Sequence, residues 1–311
     1  MTAHIITIGD EILIGQIIDT NSAWMGQQLN LQGIRVEKII SISDTHEAII
    51  EAIDKSFSET DIILVTGGLG PTIDDITKKA IADYFEVDMY FDESSYNRIQ
   101  RLFQKRGREI SDAHRVQCYM PTNATLFMNQ VGTAPGMWFD KEEKVLISMP
   151  GVPHEMKYLM EHEVLPKLKK QFPGKPIAHR TVLTAGAGES TIADTINDFV
   201  EALPENIKMA YLPGLGQVRL RLSGTGNDEK KLNSLLDKKV KELKKLIPNL
   251  IFGYGTEKLE AAVGQLLVEK GKTLSVAESC TGGLLGHRIT SVSGSSRYFM
   301  GGVIALSLIH I

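Results

Sequence analysis

Asp61-Ile62-Ile63-Leu64-Val65-Thr66-Gly67-Gly68-Leu69-Gly70-Pro71-Thr72-Ile73-Asp74-Asp75 reads as a strand, a glycine-rich turn and the opening of a helix. The run Asp61 to Val65 is short, apolar and without alternation, the pattern of a strand buried on both faces of a parallel sheet. A helical pattern follows from Asp75 to Phe85. Glycines at such a turn let backbone N–H groups approach a ligand, and a helix N-terminus there favours an anion. Thr66 and Thr72 add hydroxyls. Asp74 and Asp75 then stand where acids suit a divalent metal that neutralises a diphosphate. The same two acids also suit the helix dipole alone, an effect of a few tenths to about 1 kcal/mol.

Working outward, strand and helix patterns alternate from residue 4 to about 170. Strands are read at Ile5 to Ile8 and Ile34 to Ile42. Helices are read at Asn21 to Leu31, closed by Gly33, and at Thr45 to Phe57, with Thr45 as N-cap. Tyr96 to Arg106 is a basic helix. Gly136 to Phe139 and Lys144 to Ser148 read as a hairpin, and His154 to Gln171 as a helix with Pro153 at its first position. Alternating strands and helices imply a parallel sheet covered on both faces. Phe172-Pro173-Gly174-Lys175-Pro176 reads as a linker. A smaller α+β unit follows, with strands His179 to Thr184, Ile207 to Tyr211 and Val218 to Ser223, and helices Ser190 to Ala202 and Asp228 to Leu246. The lysine run on the last helix reads as a solvated face. Ile251 to Gly255 reads as a second linker. A third segment has a helix from Leu259 to Lys270 and a strand from Thr273 to Ala277. The expected domains are 1–170, 176–252 and 256–311.

The 311 residues carry 34 basic and 38 acidic side chains, net -4, which argues against direct nucleic-acid binding. No apolar run approaches the roughly 20 residues that span a bilayer. No signal peptide is apparent at the N-terminus. Two cysteines, Cys118 and Cys280, outside any metal-ligand spacing, suit a reducing compartment, and a cytoplasmic location is expected.

In a parallel α/β sheet, ligands bind beyond the carboxyl ends of the strands. Four loops fall there: Gly9-Asp10-Glu11, Thr66 to Asp75, Gly132-Thr133-Ala134-Pro135-Gly136, and Met149-Pro150-Gly151-Val152-Pro153. Their recurring glycines and hydroxyls suit a phosphorylated ligand. Asp10 and Glu11 read equally as surface acids at a turn. His154 reads as an ordinary helix-start residue. Arg98, Arg101, Lys105 and Arg106 read as a solvated helix face, and Trp24 and Trp138 as packing residues.

Gly9-Asp10-Glu11, Gly15-Gln16, Asn21, Thr66-Gly67-Gly68-Leu69-Gly70-Pro71-Thr72 with Asp74-Asp75, Gly132-Thr133-Ala134-Pro135-Gly136 and Pro150-Gly151-Val152-Pro153 together resemble the CinA family (competence/damage-inducible protein A) in order and spacing. The resemblance implies a three-layer α/β/α domain similar to the molybdopterin-binding fold, then a small α+β domain, then an α/β CinA C-terminal domain. It implies a metal-dependent ADP-ribose pyrophosphatase of nucleotide salvage and NAD metabolism, releasing AMP and ribose 5-phosphate, with Mg, Mn or Co as cofactor. Asp75, Asp74 and Glu11 are then the metal-holding and catalytic acids. Gly9, Asp10, Asn21, Thr66, Gly67, Gly68, Gly70, Thr72, Gly132, Thr133, Pro150 and Gly151 are the substrate-binding residues. A homodimer is also implied. Gly188-Glu189-Ser190 and Val218-Arg219-Leu220-Arg221-Leu222 resemble the family's middle domain, with Ala185 where an aromatic is common. A non-catalytic pterin- or nucleotide-binding module, and a competence or DNA-damage partner protein, are the alternatives.

Thr273 to Gly283, Ser293-Gly294-Ser295-Ser296 and Gly301-Gly302-Val303 resemble the opening of the CinA C-terminal domain. That domain is similar to nicotinamide mononucleotide deamidase, and the carry-over makes Ser279 the nucleophile, with Thr281 and Gly282 in the substrate loop. A serine needs a base. The family's Lys is expected soon after the Gly-Gly-Val strand. Here Leu306 stands where the family has Tyr, and the tail to Ile311 departs from the pattern. The segment is therefore expected to be a truncated fragment, its strand unpartnered and its amidase site vestigial, which an ammonia-release assay tests.

Overall fold

The apolar run around Ile62 lies inside a six-stranded sheet. The computed structural model describes residues 1–70, 76–105, 107 and 110–306, and the chain divides into two units, Met1–Pro176 and Ile177–Ile311. Pro71 to Asp75 thus lie outside the described residues, and Thr72, Asp74 and Asp75 with them.

The first unit runs β1 (Thr2–Ile8), a one-turn α1 (Asp10–Leu13), α2 (Thr20–Leu31), β2 (Arg35–Ile42), α3 (His46–Glu59), β3 (Ile62–Thr66) and α4 (Thr77–Tyr84). It continues through β4 (Met89–Phe91), α5 (Glu93–Lys105), α6 (Asp112–Val116), β5 (Tyr119–Pro121), β6 (Thr125–Phe127), β7 (Gly136–Lys141) and β8 (Lys144–Met149). It closes on α7 (Pro153–Leu159), a π turn (Met160–Val164) and α8 (Leu165–Gln171). The strand order is β2-β1-β3-β8-β7-β6. The first four are parallel, while β7 and β6 join antiparallel. The hairpin read at Gly136 to Ser148 is β7 and β8, where the tight turn can only reverse the chain, so the parallel sheet carries an antiparallel edge.

The period-two alternation of a strand explains the layers. Ile62 and Leu64 face a core with Met25 and Leu29 of α2 and Met156 and Leu159 of α7. Ile63 and Val65 face the opposite core, with Ile49 and Ile53 of α3 and Ala80 and Ile81 of α4. Helices therefore cover both faces, as a three-layer α/β/α fold requires. Trp138 is fully buried in the first core, and Trp24 packs against it. Gly33 follows α2 in the left-handed region (φ 81), and the Ile34 N–H returns to the Leu29 carbonyl at 3.0 Å, closing the helix. The long helix read at 154–171 is interrupted by the π turn. Pro166 has no N–H to give the His162 carbonyl, so the hydrogen-bond ladder slips there. Thr45 sits at the N-cap position of α3, but its side chain makes no capping bond.

The second unit comprises β9 (Ile177–Ala185), α9 (Glu189–Glu201), β10 (Ile207–Gly214), β11 (Gln217–Thr225), α10 (Glu229–Leu246), β12 (Ile251–Tyr254), α11 (Leu259–Glu269), β13 (Leu274–Glu278), α12 (Leu284–Thr290) and β14 (Phe299–Ile304). An antiparallel sheet, β10-β11-β9-β12, packs Val182, Leu220 and Leu222 against Ile192, Ile196, Leu232 and Leu236 of its two helices. Ile251 to Tyr254 is thus a strand paired with β9, not a linker. The expected unpartnered strand is also corrected, since β13 pairs in parallel with β14.

Candidate functional site

The sheet's connections reverse direction between β1 and β3, and at such a point a crevice opens beyond the strands' carboxyl ends. A cavity of about 480 Å³ lies there. It collects the loops after β1, β3 and β8, together with Thr133 and Ala134 before β7. The Thr66 hydroxyl donates to the Pro150 carbonyl at 2.9 Å, and Asn21 Nδ2 to the Gly151 carbonyl at 2.7 Å, so two walls are tied to a third. Gly67 (φ 117) and Gly68 (φ 63) are in the left-handed region. A Cβ on Gly67 would meet the Ile8 carbonyl oxygen at 2.2 Å, and one on Gly68 the Thr77 hydroxyl at 2.0 Å. Only glycine lets this turn pass so close to the end of β1.

The structure brings Glu11, Asn21, Thr66, Gly67, Gly68, Gly70, Thr133, Pro150 and Gly151 to the cavity lining. Gly9, Asp10 and Gly132 do not line it. Asp10 is exposed in the first turn of the one-turn helix α1. Gly9 lies under the Glu11 carboxylate, whose oxygens a Cβ there would meet at 2.7 Å. Thr72, Asp74 and Asp75 lie outside the described residues.

Val152, in a loop read as ligand-facing, also lines the cavity, as do Ile17, Ile18, Gln117 and Glu155, which were missed. Glu155 had a local signal, an acid in the first turn of the helix that follows Pro150-Gly151-Val152-Pro153. Arg98 is a correction. It is not on a solvated face: its guanidinium donates to the carbonyls of Asn129, Gly132 and Thr133. Burial draws its pKa below the usual guanidinium value, opposed by the charges of Cys118, Glu155 and Asp92. Arg101, one turn on, is exposed as read.

The lining is electrostatically one-sided. Glu11, Asp19 and Glu155 contribute carboxylates, and no Lys or Arg appears among the described lining residues. Asp19 is spent locally, accepting from the Ser22 N–H at 2.9 Å as the N-cap of α2. Buried Asn21 Oδ1 and Gln117 Oε1 have no partner among the described residues.

In the second unit, Ser279 and Cys280 are exposed beyond β13. Thr281 and Gly282 are exposed beside it, and Gly282 (φ 58) and Gly283 (φ 92) turn the chain into α12. The buried Glu278 carboxylate accepts the Gly286 and Leu285 N–H groups at 2.8 and 2.9 Å. The Gly286 bond is the chief cause holding its pKa below the usual carboxylate value.

Over 307 residues the chain is 46% identical to a CinA-like protein of Flavobacterium psychrophilum, covering 98% of this chain and 73% of that protein. The chain belongs to the CinA family. A CinA-like protein of Cytophaga hutchinsonii is 43% identical over 303 residues, 97% of this chain and 72% of that one. Residues 4–170 match the family model of a probable molybdopterin binding domain, 179–253 that of the damage-inducible protein CinA KH domain, and 256–309 the CinA C-terminal domain. The C-terminal CinA domain is therefore present. The crystal structure of CinA from Thermoplasma acidophilum is 31% identical, covering 54% of this chain and 96% of that chain, with a TM-score of 0.49. Within 179–253 no two glycines stand three apart, so the Gly-x-x-Gly loop by which KH modules clamp a nucleic-acid backbone is missing from that stretch. No described helix is long and apolar enough to cross a membrane.

Proposed function

We propose that the first unit hydrolyses a diphosphate-linked nucleotide, ADP-ribose, to AMP and ribose 5-phosphate with the help of a divalent cation. The observation that carries this reading is the cavity itself. It offers glycine backbone at Gly67 and Gly68, while its described charged groups are all acidic. An anionic ligand enters such a site with a cation at its side. A divalent cation can be held by one or two carboxylates together with the ligand's own phosphates. Glu11 is the described residue that would hold it, with Asp75 and Asp74 as the further candidates. When bound, the cation supplies charge neutralisation at the diphosphate.

The chain's own groups bind and orient. The backbone at Gly67, Gly68 and Gly70 faces the diphosphate, and the exposed apolar side chains of Ile17, Ile18 and Val152 border it. Water adds to one phosphorus, the bridging P–O bond breaks, and each product leaves with one phosphate. The assembly we propose is a homodimer with a small-molecule nucleotide as its partner and no nucleic acid.

Incubation with ADP-ribose and Mg²⁺, Mn²⁺ or Co²⁺ tests the reading. AMP is expected, lost on chelation and in Asp75→Asn with the fold intact. Binding without AMP would favour a non-catalytic module. Full turnover in Asp75→Asn at saturating metal would overturn the role given to that acid.

A further inference from the structure

Asn129 is fully buried, and its amide orientation follows from its neighbours. Its Oδ1 accepts from the Val131 and Gly132 N–H groups at 3.1 and 3.0 Å. Its Nδ2 must therefore donate, and it does so to the Ala134 carbonyl at 2.8 Å and to Glu155 Oε2 at 2.6 Å. Glu155 is thus held as an acceptor. Gly132 makes room for it, because a Cβ there would lie 1.9 Å from Glu155 Oε2. From the other side, Arg98 grips three carbonyls of the same loop. Two elements distant in sequence, α5 and α7, so clamp one cavity wall and fix one carboxylate in it.

An ionised carboxylate accepts at about four lone-pair sites, and Asn129 occupies one. Glu155 lines the cavity with its remaining capacity. Its ligand partner must be a hydrogen-bond donor or a cation, and the cation is assigned above to Glu11. Phosphate oxygens are acceptors, and a second negative charge beside Glu155 is repelled. On a nucleotide, the ribose hydroxyls are donors that carboxylates recognise elsewhere in α/β folds. Resting on the nucleotide reading above, we propose that Glu155 is the specificity-determining acceptor for a ribose hydroxyl, and that Asn129 and Arg98 are its positioning residues.

The test titrates the full chain, with Mg²⁺, against ADP-ribose and against analogues lacking a hydroxyl on either ribose. Wild type is expected to lose roughly 10- to 100-fold in affinity for at least one analogue, the range of a hydrogen bond to a charged group. In Glu155→Gln, which keeps the shape and an acceptor for Asn129, that ratio is expected to collapse below about 3-fold. Arg98→Lys keeps the charge but not the three-carbonyl grip, and should lower the same ratio, which a merely structural role would leave unchanged. Tryptophan emission checks that each variant folds, and Glu155→Asp stands in should Glu155→Gln fail to fold. An unchanged ratio in a folded Glu155 variant overturns the proposal while AMP release still supports hydrolysis. A hydroxyl-dependent affinity without AMP release overturns hydrolysis and leaves Glu155 in its role. Absence of any ADP-ribose binding overturns both.

Discussion

Replacing Asn129 by alanine removes four hydrogen bonds from a side chain with no solvent exposure. Three are neutral, at about 1 kcal/mol each, and the fourth reaches a carboxylate, at about 1.5–3 kcal/mol. The sum of roughly 4.5–6 kcal/mol is an upper figure, because the loop borders a cavity from which water can re-satisfy part of the loss. A net cost of about 3 kcal/mol is expected, a large share of the 5–15 kcal/mol typical of a domain. Both tryptophans of the chain, Trp24 and Trp138, lie in the first unit, so their emission reports that unit's unfolding. With a urea slope of about 2–3 kcal/mol/M, the midpoint should fall by about 1–1.5 M. A fall below about 0.3 M would refute the clamp that Asn129 is argued to form.

Gly67→Ala should leave the chain soluble but cost about 1–3 kcal/mol in backbone strain at φ 117, and drive a methyl toward the Ile8 carbonyl. ADP-ribose affinity, measured by calorimetry, is expected to fall by at least about tenfold. Stability of the first unit should also fall on acidification. Burial pushes the pKa of His4 below 6.5, with Glu59 opposing. The unfolded chain therefore takes up the proton first, so stability is full above about pH 6.5 and is lost as pH drops through the lowered folded value. Urea midpoints at pH 7.5 and 5.5 read this slope. His4→Asn, which retains a partner for Ser56 at the present 3.1 Å contact, should flatten it.

Much of the scaffold was legible locally. The unbroken apolar run at Ile62 marked a doubly covered strand, and Gly33 a helix end, because both follow from backbone geometry within a few residues. The glycines at 67 and 68 were legible for the same reason, although what forbids a side chain there, the end of β1 and Thr77, was not. Misreadings arose where contacts are long-range. Ile251 to Tyr254 carries a glycine between apolar residues and reads as a linker, yet β9 has a free edge that takes it as a strand. Arg98 reads as solvated because helix position alone says nothing about carbonyls that lie 31 or more residues away. At Gly132 the sequence does not reveal that a side chain there would collide with Glu155.

By itself the sequence determined the strand–glycine turn, the α/β class and the family likeness, all of which depend on short-range periodicity and turn chemistry. Only the tertiary structure decided which residues of those loops face the cavity, that the described charges in it are all negative, and that one carboxylate, Glu155, is held in its wall. Those properties come from loops drawn together at the carboxyl ends of strands adjacent in space but not in sequence. Hydrogen bonds such as Asn129 to Glu155 form only after the sheet has assembled.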